Sequence, residues 1–241
     1  MPLAAAAHSQ TALADPRLIV ALDVASRAEA EALVERLGES VSYYKIGLQL
    51  LAAGGMELGR DLMLRGRQVF LDWKLHDIGA TVEKATANIA ASGAGTIVNV
   101  HAEPQVLAAA VRGRGSSPMK VLGVTVLTSL SGQDLGEIGY AMPVRELVER
   151  RIRQVIDAGA DGVVASPQEA ALARRIGGPD FLVVTPGVRP AWAAMDDQQR
   201  ADTPAMALRE GASHLVVGRP ITAAADPRAA ALTIVEEMAG A

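Results

Sequence analysis

At 241 residues, half of them hydrophobic but only 3% aromatic, the chain holds enough aliphatic side chain for one large α/β barrel or for two small domains. With 23 Lys and Arg against 27 Asp and Glu, a net charge of −4 and no run of like charge, it lacks the basic stripe that a nucleic-acid surface needs. Cysteine is absent, which excludes disulfides, thiol nucleophiles and thiolate metal sites and fits a reducing cytoplasm, the expected location.

Met1 to Pro16 is Ala-rich and polar. Without a basic start and a long apolar core it does not read as a secretory signal, and it is expected to be a flexible tail ahead of a domain covering residues 17 to 241. No apolar run approaches the length of a membrane span. Leu18 to Asp23 is a continuous apolar run ending in an acid, the pattern of a parallel strand buried on both faces. Ser26 and Glu29 then form a capping-box pair that opens a helix running through Leu37, with Gly38 as its stop. Ser42 to Ile46 is a second strand with Lys45 at its polar end, and a helical stretch from about Gln49 to Arg65 is interrupted by Gly54 and Gly55. The third strand, Gln68 to Leu71, breaks abruptly into the charges of Asp72-Trp73-Lys74-Leu75-His76-Asp77.

Thr81 to Ala91 reads as a helix closed by Ser92-Gly93, Thr96 to His101 as the fourth strand, and Glu103 to Arg112 as its helix, followed by a loop to Pro118. Lys120 to Leu127 is the fifth strand and leads to Thr128. A long connection from Ser131 to Met142 precedes a helix from about Pro143 to Ala158, with the proline placed in its first turn. Gly162 to Ala165 is the sixth strand, Pro167 to Ile176 a helix, and Phe181 to Thr185 the seventh strand. Pro186 to Arg200 has no clear period and reads as a long functional loop. Thr203-Pro204 opens a helix ending near Gly211, His214 to Arg219 is the eighth strand, and Asp226 to Met238 the last helix. Eight strand-then-helix units without a composition break predict a parallel sheet closed into a single (β/α)8 TIM barrel. The rival, an open doubly wound sheet, lacks its Gly-x-Gly-x-x-Gly fingerprint after the first strand.

Catalytic groups of such a barrel lie at the C-terminal ends of its strands. Those ends supply Asp23, Lys45, Asp72 with Lys74, Asn99 with His101, Thr128, Pro186 and Gly218-Arg219. Burial stops at a strand end, so any one of these taken alone is better explained as an ordinary polar strand end than as a site residue. The collection, aimed at one mouth, is what argues for a site. Asp72 and Lys74, two residues apart, are expected to project from one face, with Asp77 beyond the strand and Trp73 packed on the opposite face. Gly218-Arg219 suits an anion: glycine lets the backbone approach and arginine supplies a fixed fork of donors. The four histidines, at 8, 76, 101 and 214, show no paired helical spacing and do not read as a metal cluster. His76, His101 and His214 are expected to be structural, and Asn99 to partner a neighbouring lysine or acid.

From Leu18 to about Ala225 the chain resembles the orotidine 5′-monophosphate decarboxylases. Asp72-x-Lys74-x-x-Asp77-Ile78 is similar to that family's central motif. Leu22-Asp23, Tyr44-Lys45-Ile46-Gly47, Val124-Thr-Val-Leu-Thr128-Ser129, Thr185-Pro-Gly-Val-Arg189-Pro190 and Val217-Gly218-Arg219-Pro220 resemble its other blocks in the same order. The resemblance implies conversion of orotidine 5′-monophosphate to uridine 5′-monophosphate without metal or organic cofactor, in a homodimer with sites at the subunit interface. It implies Lys74 as proton donor, Asp72 beside the substrate carboxylate, and Asp77 and Thr81 reaching the partner's site. Asp23 and Lys45 would hold the ribose and Thr128 the pyrimidine edge. The phosphate would fall to Gln198, Gly218 and Arg219, with Pro186 and Arg189 on the closing loop. Where the family often has Pro-Asn after Asp-Ile, this chain has Gly79-Ala80, expected to loosen the start of the next helix. Two alternatives stay open here: a magnesium-dependent sugar-phosphate decarboxylase or aldolase sharing the Asp-x-Lys-x-x-Asp motif, and a non-catalytic protein binding a phosphoribosyl ligand.

Overall fold

The strands are short runs dominated by Val, Ile and Leu, and each is followed by a segment carrying helix caps. The chain therefore returns to the same edge through helical crossovers, which pair its strands in parallel. The structure, a computed structural model, describes residues 14–190, 192 and 202–241; of the expected tail only Ala14 to Pro16 fall within them. Asp15 is tied down there by the Arg17 guanidinium at 2.7 Å.

The strands are β1 (Leu18–Ala21), β2 (Tyr43–Gly47), β3 (Gln68–Leu75), β4 (Ile97–His101), β5 (Lys120–Val124), β6 (Gly162–Val164), β7 (Leu182–Pro186) and β8 (His214–Val217). They form a closed parallel TIM barrel in chain order, with β8 returning to β1. Around it run α1 (Arg27–Leu37), α2 (Leu48–Leu51), α3 (Gly55–Leu64), α4 (Gly79–Ser92), α5 (Pro104–Arg114), α6 (Gly132–Glu137), α7 (Val144–Asp157), α8 (Pro167–Gly177), α9 (Pro204–Arg209), α10 (Arg219–Thr222) and α11 (Pro227–Ala239).

Several boundaries differ from the sequence reading. The third strand continues to Leu75 rather than stopping at Leu71, because the charged residues stay in the sheet at the barrel mouth. The fifth stops at Val124. The interruption expected at Gly54 and Gly55 is present: the stretch from Gln49 to Arg65 is two helices, divided where Gly54 takes a left-handed φ of 86°. The connection from Ser131 to Met142 contains α6, which Ser131 and Asp134 open with a reciprocal capping box. Pro143 is the N-cap of α7 rather than part of its first turn. Ser26 does cap α1, accepting a bond from the Glu29 amide.

Two apolar layers follow from the period-two alternation of the strands. Ile19, Tyr43, Phe70, Ile97, Leu122, Val164, Val184 and Val216 fill the barrel's interior. Their strand neighbours, among them Val20, Tyr44, Leu71, Val98, Val121, Val163, Val183 and Leu215, face the helices. With so few aromatics, each large interior ring matters. Phe70 is 1% exposed, and Phe70→Ala is expected to cost about 3–5 kcal/mol of stability, measurable by denaturant unfolding.

Candidate active site

The alternation that fills the interior also selects what reaches its C-terminal mouth. Counting on by two from interior residues, Ala21 leads to Asp23, Tyr43 to Lys45, Phe70 to Asp72, Ile97 to Asn99, Val184 to Pro186 and Val216 to Gly218. The lower layers are apolar, and the top layer is polar.

The charges of that layer form a chain. Lys45 Nζ donates to Asp23 Oδ1 at 2.8 Å and lies 3.2 Å from Asp72 Oδ2. Lys74 Nζ donates to Asp72 Oδ1 at 2.6 Å, and Asn99 Nδ2 donates to the same oxygen at 2.7 Å. Lys45 is buried and Asp72 nearly so, whereas Asp23 lies open to solvent at the outer end. Burial pushes the Asp72 carboxyl upward. The combined pull of Lys45, Lys74 and Asn99 outweighs that effect and holds it below the ordinary carboxylate value. Asp72 is accordingly an anion at neutral pH.

The depressed pKa links this carboxylate to stability. Its contribution is complete above the unfolded value, roughly pH 4, and is lost as pH falls through the lower folded value. The stability difference between wild type and Asp72→Asn is therefore expected to be constant at neutral pH and to shrink in the acid range. Denaturant midpoints measured as a function of pH check this.

Lys74 stands out in its backbone. Its φ of 49° is the one positive value at a non-glycine position among the described residues, a conformation that costs on the order of 1 kcal/mol. Lys74 and Asp72 thus meet on one side, as expected, although regular strand geometry does not extend through Lys74. Trp73 between them is 5% exposed and packs in the outer layer.

A cavity of about 170 Å3 opens beside this network, lined by Lys45, Asp72, Lys74, Thr128 and Pro186 together with an apolar wall that includes Phe70, Val124, Val126, Leu127, Val164 and Val216. Charge lies on one side of it and hydrocarbon on the other. The apolar wall was not singled out from the sequence. Its signal was present in the alternation, since Phe70, Val124, Val164 and Val216 are the inward residues of their strands.

The remaining predicted residues divide. Gly218 is the N-cap of α10, with Arg219 exposed directly after it. The Arg189 amide donates to the Asp202 carbonyl at 3.3 Å. Gln198 lies outside the described residues. Asp77 and Thr81 are exposed and do not line the cavity of their own chain; the Asp77 carboxylate accepts from the Ile78 amide at 2.6 Å. Helix α4 starts at Gly79, which places Thr81 in its first turn. His76 and His101 stack with ring centroids 4.6 Å apart, while His214 Nδ1 lies 3.0 Å from the Ser213 hydroxyl. Among the described residues, no group of three acids or histidines converges as metal ligands.

Residues 16–234 match the model of the orotidine 5′-phosphate decarboxylase / HUMPS family. The chain belongs to this family. An orotidine 5′-phosphate decarboxylase of Caulobacter sp. (strain K31) is 66% identical over 227 residues, covering 94% of this chain and 99% of that one. One from Rhodopseudomonas palustris (strain BisB5) is 55% identical over 234 residues, covering 95% and 99%. Among solved structures, an orotidine 5′-phosphate decarboxylase from Lactobacillus acidophilus superposes with a TM-score of 0.81 at 37% identity, covering 93% of this chain and 99% of that one. The Asp72-x-Lys74-x-x-Asp77 segment lies within the matched range and carries the nearly buried carboxylate and the positive-φ lysine.

Proposed function

We propose that this chain decarboxylates orotidine 5′-monophosphate to uridine 5′-monophosphate and carbon dioxide, with Lys74 as the proton donor. The observation that carries the reading is the Lys74 ammonium, 2.6 Å from an anionic Asp72 at the edge of a partly apolar cavity. Breaking the bond between the pyrimidine ring and its carboxylate leaves an electron pair in the plane of the ring, where no π-system can absorb it. Stabilisation must come from preorganised charge. A lysine already fixed by its carboxylate partner needs no reorganisation as the carbanion forms. The same ammonium then transfers a proton to the ring carbon and is recharged from solvent.

Asp72 faces the substrate carboxylate, so departure of carbon dioxide removes a repulsion between two anions. Asp23 and Lys45, at the outer end of the charge chain, hold the ribose, and Thr128 meets the pyrimidine edge. Gly218, Arg219 and Gln198 take the phosphate, with Pro186 and Arg189 at the root of the closing segment. Contacts so far from the reacting carbon supply binding free energy that favours closure and exclusion of water.

The exposed Asp77 and Thr81 serve the site of a second copy in a homodimer. Ile78 beside them is 71% exposed, an apolar side chain that such a contact would cover. The reaction uses no metal or organic cofactor. Loss of the orotate-type absorbance on incubation with substrate, undiminished by a chelator, is the expected result. A rate abolished by chelator and restored by magnesium would favour a metal-dependent sugar-phosphate enzyme instead, and tight nucleotide binding without turnover would favour a binding protein.

A further inference from the structure

Strands β3 and β4 do not keep step. Leu71 lies beside Val98 and Leu75 beside Val100, so an advance of four residues on β3 matches an advance of two on β4. The excess is taken up around Asp72-Trp73-Lys74, opposite Asn99. A bulge of this kind deprives main-chain N–H groups of their ladder partners. Here the Lys74 N–H donates instead to a side chain, Asn99 Oδ1, at 2.8 Å. The other end of the same amide, Nδ2, donates to Asp72 Oδ1 at 2.7 Å. Asn99 is fully buried, so neither bond is diluted by water.

We infer that Asn99 is the positioning residue of the Asp72–Lys74 pair: its amide replaces the missing rung between β3 and β4 and locks Lys74 in the left-handed conformation that aims its ammonium at the cavity. The inference rests on the reading of Lys74 as proton donor. Its chemistry is specific, because the position demands an acceptor toward Lys74 and a donor toward Asp72 within one short planar group. An alanine offers neither. A carboxylate offers the acceptor alone and sets a second negative charge against Asp72. A protonated carboxylic acid offers both again.

The test compares Asn99→Ala and Asn99→Asp with wild type. Asn99→Ala is expected to lower kcat by roughly ten- to hundredfold with KM nearly unchanged, the effect of misplacing a reacting group without touching the substrate's distant contacts. For Asn99→Asp, activity relative to wild type is expected to rise as pH falls and the new carboxyl takes up a proton. In Asn99→Ala, which removes the acceptor, the Lys74 amide should exchange its hydrogen faster at neutral pH, whereas the Asn99→Asp carboxylate keeps that bond and loses only the donor toward Asp72. Asn99→Asp is close to isosteric and supplies the measurement even if Asn99→Ala does not fold. A wild-type kcat in Asn99→Ala, a pH-independent Asn99→Asp ratio, or unchanged Lys74 exchange in Asn99→Ala would overturn the inference. Failure of the wild-type chain to decarboxylate the nucleotide would overturn the proposed function, while amide exchange would still decide whether the clamp exists.

Discussion

Lys74→Ala is expected to lower kcat by about 10⁴-fold or more while the nucleotide still binds. On the proposed mechanism two contributions vanish together: the fixed positive charge that offsets the developing carbanion, and the acid that protonates it. The fold should survive, because Asp72 keeps Lys45 at 3.2 Å and Asn99 at 2.7 Å as partners, and the Lys74 side chain is not part of either apolar layer. Calorimetric binding of uridine 5′-monophosphate beside a decarboxylation assay separates the two effects. A variant that keeps turnover within about tenfold of wild type, one pKa unit's worth of free energy, would remove Lys74 from the chemistry. A variant that loses binding and activity alike would make it a substrate-holding residue.

The second large effect concerns the proposed sharing of each site between two copies of the chain. Lys74→Ala and Asp77→Ala are each expected to be nearly inactive alone, and their mixture to recover about a quarter of wild-type activity after subunit exchange. Random two-fold pairing makes half the dimers mixed. In each mixed dimer, one site combines the intact Lys74 of one protomer with the intact Asp77 of the other, and the second site lacks both. Half the dimers with half their sites working gives the quarter. The motivation is that Asp77 and Thr81 are exposed and line no part of their own chain's cavity. Absence of recovery, with exchange verified by mass, would mean that each site is built within one subunit.

The barrel and most of its mouth were legible in the sequence because both depend on short-range patterns. Apolar runs broken by Asp23, Lys45, Asp72 and Asn99 mark where the strands approach the mouth, and parity along each strand then fixes which side chain faces inward. What escaped depends on departures from regularity. The strand expected to stop at Leu71 runs to Leu75 with its register slipped against β4, and a slip between two strands leaves no periodicity in either. The left-handed backbone at Lys74 is likewise invisible, since lysine is not a residue that announces such a conformation. Helix α6 was overlooked for a different reason: six residues with one buried side chain, Leu135, give no measurable repeat, although the Ser131–Asp134 capping pair was there to be seen. The apolar wall of the cavity was hidden in plain composition, because Val124, Val164 and Val216 look like any other core valines until the barrel closes around them.

The side chains of the candidate site hang from four staves of one hoop: Lys45 from β2, Asp72 and Lys74 from β3, Asn99 from β4, Pro186 from β7. Joining β8 to β1 is what completes the hoop, so a half-assembled chain cannot hold a half-working site. Turnover during refolding should consequently return only after ring closure and, on the shared-site reading, pairing of two closed barrels, trailing the recovery of helical signal.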